Sequence, residues 1–158
     1  MQAKVQGLAL QFLERDVCFL RGLTSASFDI ALNMGCLHMM DNPTDRRRHL
    51  RRVFEILKPG GTFIVNHCKE NWLKGFWSIE DYEAVKNAVP GDVISRRIRT
   101  SDGSIKLVDM EVLHHKAMPA EALAEECRAA GFADIEILDE DYFTFGNSAV
   151  LFCKRPIE

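Results

Sequence analysis

Residues 27–38 read Ser-Phe-Asp-Ile-Ala-Leu-Asn-Met-Gly-Cys-Leu-His, and residues 57–63 read Leu-Lys-Pro-Gly-Gly-Thr-Phe. What lies between and around them decides the fold. Phe28 to Leu32 is a short apolar run entered through Ser27 and Asp29, the pattern of a buried strand. It ends in a polar turn containing Gly35. Pro43 suits the first turn of a helix, with Asn42 as its N-cap. Leu50, Val53, Phe54 and Leu57 recur at helical spacing, which gives that helix one buried stripe. Pro59-Gly60-Gly61 stops it, and Thr62 to Val65 is the next strand. Strand, helix and strand make one parallel βαβ unit, and ligands of open α/β sheets bind beyond the carboxyl ends of such strands.

Working outward, Leu8 to Leu13 is an apolar run that predicts a strand ending near Asp16. After the second strand, Trp72, Phe76 and Trp77 cluster in a loop. Ser78 and Asp81 form a capping-box pattern that opens a helix to about Ala88. Val93 to Thr100 and Ile105 to His115 flank Ser101-Asp102-Gly103-Ser104, and Asp-Gly between two β-rich runs predicts a hairpin. Pro119 starts another helix, with Leu123, Ala124 and Cys127 inward and Gly131 at its end. Ile135 and Ile137 lie in a strand, and Ala149 to Cys153 is the last one. The acidic, aromatic loop between those two strands leaves no room for a helix, so they are expected to run antiparallel.

The chain has 158 residues, 47% apolar and 27% charged, which suits one ordinary globular domain. A net charge of −3 argues against general nucleic-acid binding, which normally leaves a basic footprint. No apolar run approaches the length of a membrane span. Five cysteines are odd in number and scattered, and none forms C-x-x-C. They read as reduced thiols of a cytoplasmic protein. Arg46, Arg47, Arg48, Arg51 and Arg52 share the striped helix and read as its solvated face. His114 and His115 point to opposite faces of a strand and cannot chelate one ion, so no metal site is expected. Asp29, at the strand entrance away from any ligand, reads as structural.

Four stretches in order, Phe-Leu-Glu-Arg-Asp-Val (12–17), residues 27–38, Leu-Lys-Pro-Gly-Gly-Thr-Phe-Ile-Val (57–65) and Ala-Gly-Phe (130–132), resemble the class I S-adenosylmethionine-dependent methyltransferases. The resemblance implies an α/β, Rossmann-like methyltransferase sheet, mostly parallel, with an antiparallel C-terminal hairpin and an inserted β-hairpin. Residues 8–13, 28–32 and 62–65 resemble the family's strands 3, 4 and 5, and the closing pair resembles strands 6 and 7. The family's glycine-rich loop after strand 1 and its ribose-binding carboxylate after strand 2 have no counterpart here. The expectation is therefore an N-terminally truncated, single partial domain over 1–158, with 70–117 as an insertion or lid. In the family's sheet, strands 1 and 2 lie between strands 3 and 4. Without them, residues 8–13 either pair with 28–32 or stay poorly anchored, and the latter is expected.

The resemblance also assigns a site. Asp16 would accept the adenine amino hydrogen and Val17 would offer its N–H to the ring; the plainer alternative for Asp16 is a solvated aspartate closing a turn. Asn33 and Met34 would bring a backbone carbonyl to the cofactor's methionine ammonium. Leu37 and His38 would flank the transfer cleft, with His38 taking a proton from the nucleophile, or else simply satisfied at a helix start. Trp72, Phe76 and Trp77 would cover the acceptor, or else form a satellite core. The implied reaction is methyl transfer from S-adenosyl-L-methionine to a small-molecule acceptor, since Asn33-Met34-Gly35-Cys36 is not the Asn/Asp-Pro-Pro-Tyr-type turn of base-modifying relatives. Neither nucleic acid nor membrane is expected as a partner, whereas the bare strand edge could pair with another chain. The fragment is expected to be inactive alone. Two rivals remain: a non-catalytic half-subunit of a heteromeric methyltransferase, and another nucleotide-binding α/β enzyme, which a parallel final strand would favour.

Overall fold

The computed structural model describes residues 10–69, 86–114, 116–138 and 148–157. Strand β1 (Phe28–Asn33) leads through one 3-10 turn (Leu37–Met39) into helix α1 (Pro43–Ile56) and then strand β2 (Leu57–Cys68). There follow β3 (Val93–Arg99), β4 (Ile105–Glu111), α2 (Ala120–Ala130), β5 (Ala133–Leu138) and β6 (Ser148–Lys154). The main sheet has the order β1-β2-β6-β5, and β3 with β4 forms a separate two-stranded sheet. β1 and β2 are parallel, while β6 runs antiparallel to both β2 and β5. The expected βαβ unit, inserted hairpin and antiparallel closing pair all form. The parallel final strand of the rival nucleotide-binding class does not.

Local chemistry explains these elements. Asn42 Oδ1 accepts the Thr44 N–H at 2.8 Å, with Pro43 opening the helix behind it. At the far end, Arg155 Nη1 donates to the carbonyls of Phe54, Glu55 and Leu57 at 3.0, 3.1 and 2.6 Å. The Phe54 carbonyl lies in the last helical turn, where acceptors lack helical donors, and the Glu55 carbonyl also accepts the Ala26 N–H at 2.9 Å. Lys58–Gly61 then bulges out of β2, because Phe28 pairs with Leu57 and Ile30 already with Thr62. Gly61 has to be glycine: a Cβ there would lie 2.8 Å from the Lys58 carbonyl oxygen and 3.1 Å from that of Asp29. Asp29 itself pairs with Lys58 at 2.8 Å.

The core lies between the two helices and one face of the main sheet. Leu50 and Val53 of α1 and Leu123 and Cys127 of α2 close on Phe63, Val65, Leu151 and Cys153, none more than 4% exposed. Burying side chains of this size contributes about 1.5–3 kcal/mol each for the larger ones.

The strand read over 8–13 is absent from its described part. Residues 10–13 carry no strand, and Leu10, Phe12 and Leu13 are 58%, 84% and 45% exposed. The cause is visible at β1. Among the described residues nothing pairs with its outer edge, and Ile30 and Leu32 stand 58% and 67% exposed. Residues 10–13 do not take that place either, so they have no ladder to join. The predicted helix after Ser78, the Trp72–Trp77 cluster, His115 and the loop after Leu138 lie outside the described residues.

Candidate active site

Asn33 ends β1 and is 6% exposed. Its Oδ1 accepts the Leu37 N–H at 3.1 Å, and its Nδ2 lies 2.7 Å from Nε2 of His49 on α1. His49 reaches back with Nδ1, 2.8 Å from the Val17 carbonyl. A carbonyl only accepts, so Nδ1 carries the ring proton and Nε2 accepts from the Asn33 amide. Burial pushes the His49 pKa down; the Val17 carbonyl opposes this and the Arg46 charge adds to it. The ring is neutral, as this relay requires. His49 thus ties the segment around Val17 to the end of β1.

Val17, Asn33 and Met34 line one cavity of about 440 Å³, together with apolar side chains of β1 and α1. Asp16 is not among the residues that line it. Its Oδ1 accepts the Cys18 N–H at 2.8 Å and its carbonyl the Leu20 N–H at 2.8 Å, the turn-closing role set against ligand binding in the sequence. Leu37 is fully buried in the core, and its side chain does not line the cavity. His38 is half-buried and also lies off the cavity lining, its ring edge-on to His67 at 5.9 Å. The structure therefore brings Val17, Asn33 and Met34 together and sets Leu37 and His38 apart from them. Trp72, Phe76 and Trp77 lie outside the described residues.

Beside His38 sits a buried charge that the sequence reading put in solvent. Arg47, Arg48 and Arg51 are exposed, but Arg46 is 1% exposed. Its Nε and Nη2 grip the Glu126 carboxylate of α2 at 3.0 and 2.6 Å. Nη1 donates to the Leu37 carbonyl at 2.6 Å and the Met40 carbonyl at 3.3 Å, and Nη2 lies 3.3 Å from His67 Nε2. The Leu37 carbonyl also accepts the Met40 N–H at 3.1 Å; Arg46 gives it a second donor and supplies one to the Met40 carbonyl. Arg52 is likewise drawn inward, donating to the Phe19 and Leu23 carbonyls at 3.0 and 2.7 Å. His67 donates from Nδ1 to the Cys68 carbonyl at 2.9 Å. Burial pushes its pKa down to about 4, against the Cys68 carbonyl and with help from the Arg46 charge. The missed signal was periodic: Arg46 and His49 stand seven and four residues before Val53, on the same stripe.

Residues 1–65 match the family model described as a methyltransferase domain. A comparison with curated proteins gives no match. Solved structures do match. An S-adenosylmethionine-dependent methyltransferase from Methanosarcina mazei is 20% identical with a TM-score of 0.51, over 91% of this chain and 66% of its own. The 1,6-didemethyltoxoflavin-N1-methyltransferase of Burkholderia thailandensis, solved with 1,6-didemethyltoxoflavin and S-adenosylhomocysteine, is 21% identical with a TM-score of 0.58, over 98% and 55%. An S-adenosylmethionine-dependent methyltransferase from Clostridium acetobutylicum is 15% identical with a TM-score of 0.63, over 98% and 68%. The chain thus spans less than two thirds of the length of the first two, and at these identities the likeness is one of fold. The chain shares the fold of these S-adenosylmethionine-dependent methyltransferases, and its first 65 residues match the methyltransferase-domain family model.

Proposed function

We propose that this chain forms the adenine and acceptor sides of a site that moves a methyl group from S-adenosylmethionine to a small molecule. The observation that supports it is that Val17, Asn33 and Met34 share one cavity, which runs along β1 from Phe28 to Met34 at its carboxyl end. Its volume and apolar lining suit part of a cofactor of this size. In this reading Asp16 accepts from the adenine amino group and the Val17 N–H meets the ring. A backbone carbonyl of Asn33 or Met34 receives the methionine ammonium, and Leu37 backs the transfer cleft from the core. The donor supplies a methyl group already activated on a sulfonium, so the protein mainly aligns reactants and excludes water. His38 takes the proton released by the acceptor's nucleophile. Trp72, Phe76 and Trp77, within a lid over 70–117, cover the acceptor. Residues 1–158 act as one partial domain of a cytoplasmic enzyme, with neither nucleic acid nor membrane as partner.

The sequence contains no Gly-x-Gly loop. The floor of the donor pocket then comes from residues outside this sequence, and the chain alone is inactive and binds donor weakly. Calorimetric titration with S-adenosylhomocysteine tests this. Heats that saturate only in the millimolar range, and that weaken further in Asp16→Ala, are expected. Micromolar affinity contradicts the partial pocket, and no binding at millimolar ligand contradicts the pocket altogether.

The open edge of β1, with Ile30 and Leu32 exposed, favours one second reading. There the chain is a non-catalytic half-subunit whose β1 edge pairs with another chain. A separate protein carrying the glycine-rich loop, and restoring donor affinity on mixing, would decide for it.

A further inference from the structure

The β3–β4 hairpin is a two-stranded sheet of its own, and such a sheet is marginal in water unless a face is covered. Its register puts Val93, Arg97 and Arg99 of β3 on one face with Ile105, Leu107, Asp109 and Glu111 of β4. Every one of these side chains is exposed; Val93, Ile105 and Leu107 are 68%, 62% and 66% exposed. On the opposite face, Ile94, Arg96 and Val108 are half-buried and Ile98, Lys106 and Met110 are exposed. The exposed face is also polarised. Arg97 and Arg99 stand toward the turn, opposite Leu107 and Ile105, whereas Asp109 and Glu111 stand at the base, opposite Ser95 and Val93. Four residues of strand rise separate the two charge centres by about 13 Å, beyond a physiological screening length.

A surface with acid at one end and base at the other is complementary to itself reversed. We propose that this hairpin face docks a second copy of the chain. The twofold axis runs parallel to the plane of the hairpin, midway between the two docked faces, and crosses the strands between the rows Ser95–Asp109 and Arg97–Leu107. Rotation about it lays Arg97 of one copy beside Asp109 of the other, and Arg99 beside Glu111, twice each. The same rotation sets Leu107 and Ile105 over Asp109 and Glu111 of the other copy, so they pack on the aliphatic parts of the paired acidic and arginine side chains. Sheets packed face to face stand about 10 Å apart, within reach of arginine. Two seven-residue strands offer less than the roughly 800 Å² per partner of a standard interface, so the association is weak and concentration-dependent. The opposite face takes no part in this contact.

Sedimentation velocity over a rising concentration series tests this. The unaltered chain dimerises at high micromolar to millimolar concentration. Arg97→Glu/Arg99→Glu makes the face wholly acidic, and Asp109→Arg/Glu111→Arg makes it wholly basic. Each variant alone dimerises about tenfold or more weakly, because every cross-pair becomes repulsive. Mixed together they pair at least as tightly as the unaltered chain. Unchanged circular dichroism shows that both remain folded. An unaltered chain that stays monomeric throughout overturns the proposal. So does association that both variants retain, which would place the contact elsewhere, such as the β1 edge. A mixture that stays monomeric overturns it as well.

Discussion

Glu126→Leu removes the only carboxylate that hydrogen-bonds the Arg46 guanidinium among the described residues, leaving a cation that is 1% exposed. Breaking a fully buried pair on one side typically costs about 3–5 kcal/mol, much of it the penalty of the stranded charge. The Glu126 side chain is 25% exposed, so water can replace part of the carboxylate. That brings the expected loss to about 2–3 kcal/mol. With a urea slope near 1.5 kcal/mol/M, the unfolding midpoint falls by about 1.5–2 M, followed by far-ultraviolet circular dichroism. Adding Arg46→Met removes the stranded charge and recovers part of the loss. The recovery is incomplete, because the Met40 carbonyl loses the Arg46 donor and the Leu37 carbonyl keeps only the Met40 N–H. The two substitutions should therefore couple by at least about 1 kcal/mol in a double-mutant cycle. A midpoint shift under about 0.3 M in the single variant, or strict additivity in the cycle, would refute the claim that this pair fixes the turn carrying His38.

Other consequences follow from the same geometry. The folded-state pKa of His67 lies near 4, below its ordinary value of 6.5, so between those values the unfolded chain binds the extra proton. Stability is complete above pH 6.5 and falls by roughly 3 kcal/mol as the pH drops to 4; His67→Gln should flatten that slope, read from urea midpoints across the range. His49→Leu leaves the Val17 carbonyl and the Asn33 amide without partners, which costs about 2–3 kcal/mol and speeds amide hydrogen exchange over residues 18–20. Gly61→Ala pushes a methyl group onto two backbone carbonyls and should cost at least about 2 kcal/mol in thermal unfolding, with β1–β2 pairing weakened first.

Much of the fold was legible because its signals are local. The stripe through Leu50 and Val53, the Asp102-Gly103 turn and the Gly131 stop each act within one element, and each forms as read. Gly131, at φ 110° with the Phe54 ring where a Cβ would point, shows how little freedom such a signal leaves. Residues 8–13 misled because an apolar run says nothing about whether a ladder partner exists. Arg46 misled for a related reason. Charge argues for solvent, yet Glu126, eighty residues away, and the carbonyls of a single turn outweigh it. For the site, Val17, Asn33 and Met34 line one cavity. The Leu37 side chain turns into the core, and the relay through His49 depends on a tertiary contact that no spacing announces.

The central claim is that this chain holds the adenine and methyl side of a donor pocket without its floor. Amide chemical-shift mapping during titration with S-adenosylhomocysteine tests it most directly. The account predicts shifts confined to Asp16–Leu20 and Asn33–His38 that saturate only at millimolar ligand. Shifts centred elsewhere, or saturation at micromolar ligand, would contradict it.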